Sequence, residues 1–152
     1  MKMTATRRQF LAAGTALTAS VLVRPAILLA QDDVLAALVK TYAGGATLRE
    51  GRVKLNVAPL VDNGNSVPIE VVVNSPMTQA DHVVGMAVFN EKNPQHDVAL
   101  FVLGPQSGRA RVSTRIRLAT TQKLVAVAKM QDGSCWTHTV EVIVTLAACI
   151  ED

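Results

Sequence analysis

The side chain with the clearest chemical potential in this sequence is the thiol of Cys149. It lies in the segment LAACIED, residues 146–152, directly after an alternating run that predicts the last strand of a β domain. This position predicts a thiol on a terminal segment that little else holds down. The alternative is a chance residue on a frayed end, because a free cysteine often serves only as a small hydrophobe.

The second cysteine, Cys135, lies beside Trp136 in a predicted turn at the start of that strand. At about 3.3 Å per residue, the predicted strand 137–146 holds its ends about 30 Å apart. A disulfide requires Cα atoms within about 7 Å of each other. We therefore expect a structural Cys135 and a free Cys149, with no bridge within the chain unless the tail doubles back. A bridge between two Cys149 tails stays open.

The remaining polar residues match no catalytic or metal-binding motif. His82, His96 and His138 do not have metal-ligand spacing, and we expect His82 and His96 to be solvated at strand starts. The sequence has no phosphate loop, Ser-His-Asp signature or dinucleotide fingerprint. It therefore predicts no catalytic residue, no metal and no cofactor.

Four arginines, at positions 109, 111, 115 and 117, alternate with less polar residues. This alternation predicts a half-buried strand with a polar outer face. The charges either keep an edge strand soluble or form a surface that attracts anions or docks a partner. We favour the first interpretation.

Residues 1–30 have the layout of a twin-arginine signal peptide. Arg7-Arg8 precede Phe10-Leu11, and a mildly apolar run leads to a predicted cleavage site after Ala30. The alternative, a membrane anchor, is disfavoured because the run is too short and too rich in small and polar residues to span ~30 Å of hydrocarbon. We expect export to the periplasm and no membrane association after cleavage.

The signal peptide also explains the basic charge. The chain has 15 basic and 12 acidic residues. Four of the basic residues and none of the acidic ones lie within residues 1–30, which leaves 11 against 12 in the mature chain. The mature part is thus close to neutral and gives no support for nucleic-acid binding.

The elements that must position the cysteines are those of one small β domain. A short helix is predicted to begin at a cap on Asp32 or Asp33 and to end at Gly44-Gly45. Regularly spaced β-type runs separated by turn residues then predict seven strands: 52–57, 67–74, 83–90, 98–103, 110–118, 123–130 and 137–146. The pattern predicts an all-β, immunoglobulin-like β-sandwich over residues 31–146, followed by a tail, residues 147–152.

Two sequence runs are specific enough to suggest a family: NGNSVP, residues 63–68, and STRIRLA, residues 113–119. Further matching segments are GRVKL (51–55), Glu70, NSPM (74–77), EKNP (91–94), VAVA (125–128) and DGS (132–134). Together they cover essentially the whole mature chain. They resemble the SoxY family, the sulfur-carrier subunit of the periplasmic thiosulfate-oxidising (Sox) system.

The resemblance implies a sandwich that pairs with SoxZ, a second small β protein, in a heterodimer. It also implies that a cysteine within a terminal Gly-Gly-Cys-Gly-Gly carries sulfur, and by register this cysteine is Cys149. In the family, thiosulfate is coupled oxidatively to the thiol, and sulfur-oxidising partner enzymes then process the bound sulfur. The carrier itself catalyses nothing.

The tail departs from the family pattern, because Ala147-Ala148 and Ile150-Glu151-Asp152 replace the two glycine pairs. Alanine stiffens the backbone relative to glycine, and the acidic residues disfavour ionisation of a neighbouring thiol. The first hypothesis is a sulfur carrier with Cys149 as the covalent attachment point. The alternative is a non-catalytic SoxY-derived binding or assembly module that pairs with SoxZ but no longer carries sulfur. A redox-sensing or disulfide-forming thiol protein is a third reading.

Overall fold

The computed structural model describes residues 31–148, with side chains from Val34 onward. The predicted signal peptide and Cys149 lie outside the described residues. One helix, α1 (Gln31–Ala43), precedes nine strands: β1 (Leu48–Arg49), β2 (Val53–Asn56), β3 (Leu60–Val61), β4 (Val67–Val73), β5 (Val83–Asn90), β6 (Asp97–Val102), β7 (Arg111–Ile116), β8 (Gln122–Met130) and β9 (Cys135–Val144). The seven predicted strands are confirmed. The two-residue strands β1 and β3 were not predicted.

The strands form two sheets. The first has the order β1-β9-β8-β5-β6, with β3 also paired to β9, and the second has the order β2-β4-β7. β1 and β3 pair in parallel with opposite ends of β9, whereas the longer strands pair antiparallel. Because β2 and β3 belong to different sheets, the chain crosses from one sheet to the other at residues 57–59. The predicted β-sandwich is confirmed.

The main core lies between the two sheets and follows from the alternation in the sequence. In β4, Val67, Ile69, Val71 and Val73 are all buried, while Pro68 between them is exposed. Their partners come from both sheets and include Met86, Val88, Leu118, Leu124, Ala126 and Val142. Side chains of this kind stabilise the fold chiefly by removing apolar surface from water.

A second, smaller core lies between α1 and the outer face of the first sheet. Leu35 and Val39 of the helix pack there with Phe89 of β5 and Val127 of β8. The helix thus presents an apolar stripe to the first sheet, and this contact explains why β5 and β8 are buried on both faces. No helix within residues 31–148 combines the length and hydropathy needed to cross a membrane.

The ends of α1 match the sequence prediction in part. Gly44 and Gly45 terminate the helix with φ of 65° and 80°, and the Gly45 amide donates to the Lys40 carbonyl at 3.3 Å. This is the left-handed ending that glycine permits. The predicted cap at Asp32 or Asp33 is wrong, because Gln31 before them is already helical.

Candidate functional site

The segment that leads to Cys149 is bound to the body of the sandwich by backbone hydrogen bonds. The Gly64 amide donates to the Leu146 carbonyl at 2.8 Å, and the Leu118 amide donates to the Gly64 carbonyl at 2.8 Å. The Leu118 carbonyl in turn accepts from the Ala148 amide at 3.1 Å. We call these four residues the tail clasp. It joins the loop before β4, the end of the β7 segment and the residues immediately before the cysteine.

Gly64 fits the tail clasp because it has no side chain. A Cβ at this position would lie 2.3 Å from the Leu118 carbonyl oxygen, 3.0 Å from the Ala148 amide nitrogen and 3.1 Å from a Val144 methyl. The first distance is far below any van der Waals contact. The glycine is thus required for close approach of three backbone segments, one of the ordinary uses of this residue.

A buried polar network fixes the position of Leu118 from its other side. The Asn93 side chain accepts from the Ala119 amide at 3.0 Å and donates to the Arg117 carbonyl at 2.9 Å. Gln122, which is almost fully buried, donates to the Asn93 amide oxygen at 2.7 Å. Both peptide groups beside Leu118 are therefore held, and satisfied networks of this kind stiffen the backbone that they bind.

The expectation that little holds the terminal segment is wrong as far as Ala148. Besides the tail clasp, the Thr145 amide donates to the Val61 carbonyl at 3.0 Å, and Ala148 is buried. Cys149 itself lies outside the described residues. Its role therefore stays a prediction, and the structure defines only the point from which its thiol is presented.

Cys135 is a buried, free thiol, as predicted for a structural residue. It is the first residue of β9 and only 2% exposed, and its Sγ lies 3.7 Å from the Ala43 carbonyl at the end of α1. Burial raises the pKa of the Cys135 thiol, and Asp132 adds to this rise while Lys129 opposes it. A buried thiol with a raised pKa is a poor nucleophile. Cys135 and Ala148 lie at opposite ends of β9.

The histidines are structural where the structure describes their contacts. The expectation that His82 is solvated is wrong, because it is 7% exposed and its Nδ1 lies 2.9 Å from the Thr78 carbonyl. His96 is half-buried and contacts the Asn90 carbonyl through Nδ1 at 3.0 Å. His138 accepts the Leu55 amide at 3.2 Å and so links the two sheets. Within residues 34–148, no three His, Cys, Asp or Glu side chains are grouped to hold a metal ion.

The four arginines lie on or beside β7, which is an edge strand of the second sheet. All four are exposed, in agreement with the edge-strand interpretation. They differ in their partners, however. Arg111 donates through Nε to Glu70 of β4 at 2.7 Å, and Glu70 also accepts from Asn56 Nδ2 at 2.9 Å. Only Arg111 of the four forms an ion pair with a carboxylate in the described part of the chain.

Glu70 lies at the centre of a polar row on the outer face of the second sheet. Its bonds to Arg111, then Asn56 and Ser113, hold the pKa of its carboxyl below the usual range. A carboxyl group whose pKa is lower in the folded than in the unfolded state stabilises the fold at pH values above its unfolded-state pKa of about 4.3. This stabilisation is lost as the pH falls through the folded-state pKa. We expect Glu70→Gln to lower the free energy of unfolding at pH 7 and to lose that difference progressively as the pH falls below about 4.3.

Urea unfolding of both proteins across this range measures the difference. Glu50→Gln is the matched control, because Glu50 is exposed and makes no ion pair among the described residues. A constant difference between wild type and Glu70→Gln from pH 7 to pH 2 would contradict the assignment.

An open groove of about 940 Å³ lies where β2 leaves the second sheet, between residues 55–58, 68–70 and 113–115. The backbone amide of Asn74 donates to the Arg52 carbonyl, on the side of β4 that pairs with β2. Because backbone amides alternate sides along a strand, the nitrogen of Pro68 faces that same side, beyond the last residue of β2 that is paired. The missing N–H of proline costs nothing at such an unpaired position. Glu70 in this groove already has its hydrogen-bond partners within the protein. The groove itself exists because β2 leaves the second sheet where the chain crosses to the first.

The tail clasp was missed by sequence reasoning. Asn63-Gly64 belongs to the distinctive run 63–68, but such a run does not reveal which distant segment packs on it. Leu146 lies 82 positions further along the chain. The one available signal was that two of the distinctive runs, 63–68 and 113–119, contain Gly64 and Leu118 of the tail clasp. Asn93, from the matching run 91–94, binds the backbone next to Leu118.

Comparisons with known proteins agree with this geometry. The sequence profile of the family described as sulfur oxidation protein SoxY matches residues 39–149. The sulfur carrier protein SoxY from Chlorobium limicola f thiosulfatophilum superposes with a TM-score of 0.62 at 26% identity, over 74% of this chain and 96% of that one. No curated protein sequence matches the chain.

Other solved structures share only the fold. A superoxide reductase (neelaredoxin) from Ignicoccus hospitalis matches with a TM-score of 0.55 at 16% identity, over 61% of this chain and 79% of that one. The superoxide reductase from Nanoarchaeum equitans matches with a TM-score of 0.54 at 12% identity, over 63% and 100%. Because the profile match covers most of the chain, this protein belongs to the SoxY family.

Proposed function

We propose that this protein is a sulfur carrier and that Cys149 is its covalent attachment point. The observation that carries the proposal is the coincidence of the family match with the tail clasp. The matched region ends at Cys149, and the clasp holds the chain up to the residue directly before it. A cysteine presented at the end of a fixed segment can be offered to another protein.

The chemistry needs a thiolate and an external oxidant. The Cys149 thiolate and thiosulfate form an S–S bond to give Cys-S-S-SO₃⁻, and the two electrons released pass to an electron-accepting partner enzyme. The carrier contributes the sulfur nucleophile and the position, and the partner contributes the redox centre. The described residues fit this division of labour, because Cys135, the other thiol, is buried and has a raised pKa.

The proposal includes a setting and partners. Residues 1–30 direct twin-arginine export to the periplasm, residues 31–146 form the sandwich, and residues 147–152 form the tail. A SoxZ-like protein pairs with the sandwich, and sulfur-oxidising enzymes of the Sox system act on the loaded cysteine. The chain acts as a carrier for these enzymes and is not itself the catalyst.

Intact-mass spectrometry tests the proposal. The mature protein is incubated with thiosulfate and a coupling enzyme that accepts electrons, or is purified directly from its native compartment. We expect a mass increase that corresponds to one thiosulfate-derived group, retained in Cys135→Ala and lost completely in Cys149→Ala. Absence of any sulfur adduct in the wild-type protein would defeat the carrier proposal.

The second candidate is a binding or assembly module that pairs with a SoxZ-like protein without carrying sulfur. It is favoured by the tail, in which Ala147-Ala148 and Ile150-Glu151-Asp152 stand where the family has glycines. Under this alternative, the heterodimer forms and survives gel filtration, but its mass does not change on exposure to thiosulfate and the coupling enzyme.

A further inference from the structure

A second groove, of about 500 Å³, lies at the end of β4 and the start of β7, whereas the tail clasp lies at the other ends of these strands. Four cationic side chains line it: Arg52, Lys54, Arg109 and Arg111. The other residues that line the groove are apolar or uncharged, and no carboxylate is among them. A concave surface that carries one sign of charge concentrates ions of the opposite sign.

The strand register brings three of these cations to one face of the second sheet. Lys54 of β2 pairs with Val72 of β4, and Val72 pairs on its other side with Arg111 of β7. Since neighbouring strands lie about 4.8 Å apart, the Cα atoms of Lys54 and Arg111 are roughly 10 Å apart. Arg109 lies on the same face as Arg111, because Ala110 between them is buried in the core.

Two of the four cations have carboxylate partners that hold them in place. Arg52 donates to both carboxylate oxygens of Asp81, at 2.7 and 3.3 Å, and its guanidinium lies 5.6 Å from the centre of the Trp136 ring. Arg111 pairs with Glu70 through Nε and Nη2, which leaves its Nη1 outside that pair. These two side chains form an ordered, positively charged frame.

The other two cations, Lys54 and Arg109, are exposed and form no ion pair within residues 34–148. The groove therefore carries a surplus of two positive charges. Like charges gathered on adjacent strands destabilise a sheet, and nothing among the described residues offsets this pair. We propose that the groove binds a tetrahedral divalent oxyanion, a class that includes sulfate, thiosulfate and hydrogen phosphate.

The side chains present suit such an anion. Ammonium and guanidinium groups form charge-assisted hydrogen bonds with the oxygens of an oxyanion, and the two charges of the anion match the surplus of Lys54 and Arg109. Because the groove is open, the affinity falls as salt screens the charges. The binding is non-covalent and lies far from the tail clasp, so it does not rest on the proposed sulfur-carrier function.

An anion titration tests the site in ¹⁵N-labelled Cys149→Ala mature protein, which cannot form an adduct at position 149. Sodium thiosulfate, sulfate or hydrogen phosphate is added at pH 8, and sodium chloride keeps the ionic strength constant. We expect saturable shifts of the amide signals of Lys54, Val72 and Arg111, with a roughly millimolar Kd. Tighter binding of thiosulfate and sulfate assigns the site to sulfur oxyanions, tighter binding of phosphate assigns it to phosphate groups, and equal binding defines a general oxyanion site.

A matched pair of double variants makes the outcome specific. We expect Lys54→Gln/Arg109→Gln to weaken binding roughly tenfold or more, since it removes two charge-assisted contacts. Arg115→Gln/Arg117→Gln removes two exposed arginines from the other end of the β7 segment, outside this groove, and should leave the Kd unchanged. Urea unfolding gives a second readout, because an anion that binds only the folded protein stabilises it. This stabilisation should be lost in Lys54→Gln/Arg109→Gln alone.

Shifts that rise linearly with all three anions, without saturation, would overturn the proposal. An unchanged Kd in Lys54→Gln/Arg109→Gln would do the same, as would an equal loss of affinity in the two double variants. These outcomes are read without an oxidant or a coupling enzyme. They are therefore independent of the sulfur adduct on Cys149 that tests the carrier proposal.

Discussion

Gly64→Ala is expected to open the tail clasp. The added Cβ would lie 2.3 Å from the Leu118 carbonyl oxygen, and because this oxygen belongs to backbone held by Asn93, it cannot move aside cheaply. We expect a loss of about 1–3 kcal/mol in the free energy of unfolding, as for other overpacked sites. We also expect at least tenfold faster amide hydrogen exchange at Leu118 and Ala148. The Leu118 amide donates to the Gly64 carbonyl, and the Ala148 amide donates to the Leu118 carbonyl that the added Cβ would displace.

The matched control is Gly104→Ala. A Cβ at Gly104 would meet only the Gln106 side chain, at 3.5 Å, and φ there is −150°, an extended conformation that alanine adopts freely. Gly104→Ala should therefore change stability by less than about 0.5 kcal/mol. If both variants behave alike, or if Leu118 and Ala148 remain protected in Gly64→Ala, the contacts assigned to Gly64 are wrong.

Leu118→Ala is expected to be the most destabilising single truncation near the tail. Its side chain is 0% exposed and packs in the core between the sheets, and removing a buried leucine in this way costs about 2–5 kcal/mol. The backbone bonds of Leu118 in the tail clasp do not require the side chain, so exchange at Ala148 should rise only as far as the lower global stability dictates. Urea unfolding followed by circular dichroism measures the free energy, and exchange measures the clasp.

Leu100→Ala is the control for this truncation. Leu100 lies in β6 and is 60% exposed, so its removal leaves little cavity and should cost within about 0.5 kcal/mol. A comparable loss in Leu100→Ala and Leu118→Ala would show that Leu118 is not a core residue.

The strands were predictable because the signals that define them are local. Alternation in β4 and β7, and turn residues such as Asp132-Gly133, act over two to ten residues and need no knowledge of the rest of the chain. β1 and β3 escaped prediction because two residues carry no alternation. They exist only because β9, about 80 to 90 positions later, supplies their parallel partners.

The site was less predictable than the fold, for the same reason. Cys149 could be singled out from its position and from the family resemblance, but the segment before it was expected to be unattached. Gly64 and Leu118 are distant from it in the sequence and meet it only in the folded sandwich. Likewise, nothing local distinguishes Arg111 from Arg115, although Glu70 pairs with the first and not with the second. Long-range pairing decides which charges remain available.

If Cys149 is the attachment point, as proposed, the tail clasp also limits how deep its thiol can enter another protein. With the clasp closed, Cys149 is one residue beyond the last fixed amide, so only an active site near the surface of an enzyme is accessible. Release back to Val144 would add four residues, or about 14 Å at full extension. Breaking the three backbone hydrogen bonds of Thr145, Leu146 and Ala148 would cost roughly 1.5–4.5 kcal/mol. The same carrier would then serve shallow sites readily and deep channels only when the enzyme's own contacts with the tail exceed that cost.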